Sequence, residues 1–217
     1  MDFNLPEEHR MLRDLVAKFV ANELMPFEKR ILEREAAGQS AALTAEETEP
    51  LHKKSKELGL WGLDVPASLG GADIGTVAKI CVSEELAYTI TPFVFPPDSP
   101  NLHMLLATVN EDQRKRYLEP YARGEVVSAI AISEPGAGAD PSGMKTRADR
   151  SGDKWVINGQ KIWISRMHES AFTIVMAVTD QEKRSRGGIT AFLVDQDNPG
   201  MRVARDISSN FCNCCAA

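Results

Sequence analysis

The chain has 217 residues, 43% of them hydrophobic and 26% charged, enough to bury one large core or two modest ones. Its net charge of −6 excludes the clustered Lys and Arg footprint of a non-specific nucleic-acid binder. No apolar run approaches the roughly 20 residues of a bilayer span. Met1-Asp2-Phe3-Asn4-Leu5-Pro6 has neither the basic flank nor the apolar stretch of a signal peptide, so a cytoplasmic protein with no membrane span is expected. Of the 4 cysteines, Cys212, Cys214 and Cys215 crowd the end and Cys81 stands alone in the body, which implies no disulfide framework. The three terminal thiols have no obvious fourth partner for a closed zinc site, and the segment reads as an exposed tail.

Taken in order, Asn4 and Pro6 open a helix whose apolar positions Leu12, Leu15, Val16, Phe19 and Val20 line one face, with Pro26 expected to kink or end it. A charged stretch resumes near Ile31, and Ala36 to Ala42 reads as a loop around Gly38. Thr44 and Glu47 have capping-box spacing, predicting a helix from Ala45 to Leu58 that stops at Gly59. Leu60-Trp61-Gly62-Leu63-Asp64-Val65-Pro66 followed by Gly70-Gly71 is an apolar, turn-rich loop that should pack on the core. A third helix is expected over 76–89, with Val77, Ile80 and Cys81 on an apolar face and Glu84 and Glu85 on an acidic one. Short helices follow over 102–108 and 111–118, and Pro120 with Gly124 marks a boundary.

Beyond Gly124 the periodicity changes. Val126 to Ile132 is rich in β-formers and too short for a helix. Trp155-Val156-Ile157 and Ile162-Trp163-Ile164 flank Asn158-Gly159, the strongest short hairpin signal, and further strands are expected over 172–178, 189–195 and 201–203. Helices first and strands second predict an α+β protein with segregated layers.

One stretch carries a chemical pattern. In Ala131-Ile132-Ser133-Glu134-Pro135-Gly136-Ala137-Gly138-Ala139-Asp140 a strand ends in a glycine-rich loop whose backbone N–H groups could approach an anion such as a pyrophosphate. The same spacing also suits a surface loop leaving an edge strand. It is not a Rossmann fingerprint, since Pro141 and Gly143 oppose a following helix, and it lacks the Gly-Lys-Ser/Thr ending of a P-loop. His9, His52, His103 and His168 are scattered with no metal-ligand spacing, so no metal site is expected.

Together these stretches resemble the acyl-CoA dehydrogenase family. The middle-domain likeness lies in Ser133-Glu134-Pro135-Gly136-Ala137-Gly138-Ala139-Asp140, Lys145-Thr146-Arg147-Ala148 and Trp155 to Ser165; that of the helical domain lies in Gly59 to Pro66, Gly70-Gly71 and Asp112 to Leu118. Gly187 to Val194 resembles a later family strand. The resemblance implies an N-terminal all-α domain (1–122), an incomplete antiparallel β-barrel-like domain (123–207) and an atypical tail (208–217). It implies FAD as cofactor, with Ile132 and Ser133 against the flavin ring, Gly138 and Ala139 at the pyrophosphate, Trp163 covering the ring, and Ile164 and Ser165 beside its reactive edge. Such donors stabilise the electron-rich reduced flavin.

The family usually carries Ser or Thr where this chain has Ala139, which removes a hydroxyl that would reach the cofactor phosphate or the CoA of the substrate. The implied reaction is α,β-dehydrogenation of an acyl-CoA thioester to the trans-2-enoyl-CoA, with electron-transfer flavoprotein as electron partner and a homo-oligomer, dimer or tetramer, as the assembly. The family's base is a glutamate of a C-terminal helical domain, so no catalytic residue is expected in this chain, and Glu134 belongs to the loop framework. From Ser208 onward the sequence departs from the family pattern, and a truncated, catalytically inactive chain is expected. A silent interaction subunit, or a flavin oxidase or monooxygenase on the same scaffold, is the alternative.

Overall fold

A computed structural model describes residues 4–97, 99–207 and 215–216. The chain divides into two compact units, one of residues 1–102 and 109–125 and one of 103–108 and 126–217. The reading of 208–214 as an exposed tail lies outside the described residues. Among the described residues, no helix is long and apolar enough to cross a membrane.

The first unit is helical. Its elements are α1 (Glu7–Phe19), α2 (Glu28–Ala36), α3 (Ala45–Glu57) and α4 (Thr76–Leu86), with the short α6 (Glu111–Gln113) and α7 (Glu119–Ala122). Between α1 and α2 the chain passes through a π-helical turn (Val20–Leu24) and a 3-10 turn (Met25–Phe27) that absorbs Pro26. The capping box at α3 is present: Thr44 accepts from the Glu47 N–H while the Glu47 carboxylate accepts from the Thr44 N–H. Asn110 and Gln113 repeat it at α6. Val16, Phe19 and Val20 pack with Leu24, Leu51, Leu60, Phe93 and Phe95, and each side chain of this size withdrawn from water stabilises by about 1.5–3 kcal/mol.

Two expectations are corrected here. The third helix ends at Leu86 and buries Ala78, Cys81 and Val82, leaving Val77 and Ile80 outward; α1 packs on the face of smaller residues. The helix beginning at Glu111 runs past Pro120 to Ala122, passing through a π-helical turn (Arg114–Leu118) immediately before the proline.

The second unit contains most of α5 (Leu102–Thr108) and the strands β1 (Val127–Ala131), β2 (Arg147–Ser151), β3 (Lys154–Asn158), β4 (Ile164–Ser165), β5 (Ser170–Val178), β6 (Ile189–Asp195), β7 (Asp206–Ile207) and β8 (Cys215–Ala216). The α+β layout holds. The sheet is mixed and open instead of an antiparallel barrel: β5 is parallel to β1 and to the end of β2 on one edge and antiparallel to β6 on the other. The long connection from β1 to β5, which itself contains the β2–β3 hairpin, returns the chain in the direction it left and so makes the pair parallel. β4, β8 and β7 form a small second sheet.

The hairpin expected at Asn158-Gly159 is absent. The tight turn is Gly152-Asp153, with Gly152 at φ 64° joining Ser151 of β2 to Lys154 of β3, and β2 itself had no clear signal. Gly159 serves a different need: a Cβ there would stand 2.2 Å from the Thr146 hydroxyl and 2.6 Å from its Cα. The segment expected as a strand over 162–164 is regular only at Ile164–Ser165, and 201–203 is not a strand. Met201 and Val203 instead pack against Ala129, Ala131, Ile164 and Met167.

Gly159→Ala should therefore lower unfolding stability by about 1–3 kcal/mol through overpacking. Gly136→Ala, where a Cβ meets nothing within 4 Å and φ is not left-handed, should change it by less than about 0.5 kcal/mol. Urea unfolding of the two variants beside the parent checks the contrast.

Candidate functional site

The site is built where β1 runs out. Ala131, the last residue of β1, is buried; the next residue, Ile132, is 39% exposed, because alternation turns successive side chains to opposite faces. Ser133 is half-buried and Glu134 buried. The chain then turns back on itself, with the Glu134 N–H donating to the Ala137 carbonyl (2.8 Å) and the Ala137 N–H returning to the Glu134 carbonyl (3.1 Å). Gly138 and Ala139 lie exposed beyond this turn, before Asp140 caps the Pro141–Gly143 turn.

The second segment comes alongside. The Ile162 N–H donates to the Ser133 carbonyl at 3.0 Å, placing Trp163, Ile164 and Ser165 beside Ile132 and Ser133. Trp163 is 59% exposed and sits at φ 63°, a left-handed conformation that costs a bulky residue on the order of 1–3 kcal/mol. Arg166 repeats it at φ 60°. Ile164, between them, is buried in the core with Ala129, Ala131 and Met167, while Ser165 faces out. The structure thus brings Ile132, Ser133, Trp163 and Ser165 to one neighbourhood, follows them with Gly138 and Ala139 on the adjoining loop, and turns Ile164 inward.

Glycine usage on this loop is informative. At Gly136 and Gly138 an added Cβ would meet nothing within 4 Å, and neither residue lies in the left-handed region, so the protein's own packing and backbone do not require glycine there. What glycine preserves at such positions is room for something outside the chain to approach the backbone.

Beneath the loop lies a buried ion pair between Glu134, expected as part of the loop framework, and Lys161, for which no role was expected. Lys161 Nζ donates to Glu134 Oε1 at 2.9 Å and to the Ile132 carbonyl at 3.0 Å. The Glu134 carboxylate also accepts the N–H groups of Lys145 (2.6 Å) and Thr146 (2.9 Å). The Thr146 side chain also favours the charged form of the carboxylate. Burial alone would raise the Glu134 pKa; the Thr146 side chain, the two N–H donors and Lys161 outweigh it and hold the group at about 2. Burial pushes the Lys161 ammonium down, and the Glu134 charge pushes it back up. A carboxylate held so acidic and engaged on both oxygens retains no basicity for proton abstraction at neutral pH. The signal in the sequence was a carboxylate set between a β-run and a glycine loop, where a solvated charge has no obvious place.

A cavity of about 670 Å³ is lined by Ala131, Ile164, Met167, Thr173 and Val175, and by Thr146, Gln160 and Lys161 beside the ion pair. Of the expected site residues only Ile164 lines it; Ile132, Ser133, Trp163 and Ser165 do not. Among the described residues no group of His, Cys, Asp and Glu is arranged to hold a metal ion.

Comparison with known proteins follows the same division. Residues 6–125 match the model of the acyl-CoA dehydrogenase N-terminal domain, and residues 129–214 that of the acyl-CoA dehydrogenase middle domain. (R)-benzylsuccinyl-CoA dehydrogenase of Thauera aromatica is 42% identical over 95% of this chain and 53% of its own length. A putative acyl-CoA dehydrogenase from Mycobacterium abscessus superposes with a TM-score of 0.86 at 26% identity, covering 99% of this chain and 57% of that one. A glutaryl-CoA dehydrogenase from Mycobacterium smegmatis, solved in complex with FADH2, does so at 0.74 and 26%, covering 98% and 51%. The chain spans about half the length of the curated relatives it matches.

The depressed carboxylate predicts an acid limb. A group held below its ordinary 4.5 stabilises the fold above that pH, and the contribution is lost as pH falls toward about 2. Glu47, held at about 2 chiefly by the Arg34 guanidinium, titrates in the same window. Glu134→Gln should lower stability at pH 7 by about 1–3 kcal/mol, since it weakens the acceptor for buried donors, and should make the loss between pH 4.5 and 2 shallower without abolishing it. Denaturant titrations at stepped pH check both.

Proposed function

The chain belongs to the acyl-CoA dehydrogenase family, and from that premise we propose that its second unit supplies the flavin-facing wall of an FAD-dependent enzyme converting acyl-CoA thioesters to trans-2-enoyl-CoA. The observation that carries this reading is the pairing of Ile162 with Ser133, which sets two exposed apolar side chains, Ile132 and Trp163, around two hydroxyls, Ser133 and Ser165.

The residues fit the cofactor. Ile132 and Trp163 offer an uncovered apolar surface to a planar ring, Ser133 and Ser165 offer hydrogen bonds to its polar edge, and Gly138 with Ala139 offers backbone N–H groups to a pyrophosphate in space that no side chain fills. FAD, when bound, supplies the hydride acceptor. Within this reading Trp163 excludes water from one face, and the serine donors stabilise negative charge where it develops. Ala139, at the junction of cofactor and substrate, offers a backbone N–H and no hydroxyl. Ile164 acts from below, fixing the backbone between Trp163 and Ser165 through its burial.

The acceptor of the substrate's α-proton belongs elsewhere in this reading, because Glu134 is already committed to its own donors. A dimer or tetramer as the assembly, electron-transfer flavoprotein as electron partner, and a cytoplasmic setting complete the proposal. The 217-residue chain by itself is expected to be silent toward acyl-CoA with an artificial electron acceptor.

FAD titrated into the purified chain should quench flavin fluorescence saturably; a linear, unsaturable response overturns the reading. Gly138→Val should weaken that binding by about tenfold or more, equivalent to about 1.4 kcal/mol, while moving the melting temperature by no more than a few degrees, because the new side chain enters empty space. A large loss of melting temperature with unchanged affinity would assign Gly138 to the fold.

A further inference from the structure

We propose that the buried Glu134–Lys161 pair is the positioning device of the flavin-facing wall, fixing the segment that carries Ser133 against the segment that carries Trp163 and Ser165. This rests on the FAD reading of that wall and assigns roles to two residues that touch neither cofactor nor substrate.

Three consecutive residues of the first segment are each tied to the second. The Ile132 carbonyl accepts from Lys161 Nζ, the Ser133 carbonyl accepts from the Ile162 N–H, and the Glu134 carboxylate accepts from Lys161 Nζ. Lys161 therefore straddles Ser133, gripping the residue before it and the residue after it. Glu134 extends the tie to a third segment through the N–H groups of Lys145 and Thr146. Both side chains are nearly enclosed, at 5% exposure for Glu134 and 10% for Lys161.

Burying two opposite charges is a poor route to stability, because well-packed apolar residues of the same volume do as well or better. What an apolar pair cannot do is hold backbone donors and acceptors from separate segments at fixed distances. The ammonium directs two donors and the carboxylate directs its lone pairs toward three, so the pair specifies geometry. The location fits the need. Trp163, at left-handed φ, is two residues beyond Lys161, and such a conformation persists only where its surroundings over-determine it. The pair supplies the upstream anchor and the buried Ile164 the downstream one.

The test uses the full chain with Lys161→Met, Lys161→Arg, Glu134→Gln and the charge-swapped Glu134→Lys/Lys161→Glu. Two readouts are taken: FAD affinity with the absorption bands of the bound flavin, and cofactor-free amide exchange of Ile162. Lys161→Met should weaken FAD binding by about tenfold or more, shift the flavin bands and speed Ile162 exchange by about tenfold or more. Lys161→Arg should restore most of each. The swapped chain restores opposite charges but turns an ammonium toward the Lys145 and Thr146 N–H groups, and should recover neither readout.

Recovery by the swap, or parent-like exchange in Lys161→Met, overturns the proposal by reducing the pair to a simple ion pair. Where Lys161→Met does not fold, the gentler Glu134→Gln and Lys161→Arg are compared by the same two readouts, and parent-like values in Glu134→Gln overturn the proposal. Should the parent bind no FAD at all, the FAD reading falls, and Ile162 exchange alone decides whether the pair positions the segment.

Discussion

A carboxylate leaves water only where enough donors meet it, and the second unit is organised around one such meeting. Glu134 sits at the point where β1 gives way to the glycine-rich loop, and its oxygens collect the N–H groups of Lys145 and Thr146 and the ammonium of Lys161. Those donors come from chain segments separated by up to 27 residues, so the loop, the approach to β2 and the approach to β4 are fixed by one side chain. Truncating either side chain outright leaves the other charge buried without a partner, a loss of about 3–5 kcal/mol and a large fraction of a domain's net stability, whereas Glu134→Gln keeps an amide oxygen as acceptor and costs less. The glycine loop can stay open to solvent because its base is held from within.

Close approach is the second constraint, and it explains why local signals failed where they did. Asn158-Gly159 has the composition of a hairpin turn, but Gly159 is glycine because Thr146 presses against it. The pairing that matters there is long-range and leaves no trace in a window of a few residues. The actual turn, Gly152-Asp153, joins β2 to β3, and β2 escaped notice because only Ala148 of its residues is buried, so no alternation marks it. The parallel pairing of β1 with β5 was equally invisible, since a strand pattern states which face is buried and not which neighbour lies alongside.

Where the determining interactions are local, the sequence was legible. Thr44 with Glu47 read directly as a capped helix start, because both partners of the box lie within one turn. The family was legible as an ordered set of motifs, and the contacts between Glu134 and Lys161 were not. Glu134 read as part of the loop framework and Lys161 only as one residue of the motif from Trp155 to Ser165, since neither the 27-residue reach between them nor their burial can be inferred from composition. A charge placed where the pattern calls for a buried residue was the only hint available.

Surface arguments then separate the wall from the cavity. The 670 Å³ cavity is lined near the site by Ala131 and Ile164, and also by Thr146, Gly159, Gln160 and Lys161, whereas Ile132, Ser133, Trp163 and Ser165 do not line it. Ile132 and Trp163 leave apolar surface exposed, and Trp163 does so in a backbone conformation unfavourable for its size. Exposing a tryptophan forgoes the stabilisation of its burial, and holding it at positive φ costs more, a cost that contacts among the described residues do not offset. Under the FAD reading, a flat apolar partner lying against the wall accounts for that cost, and the cavity, bordered by Thr146 and Lys161, adjoins the residues that hold the wall in place.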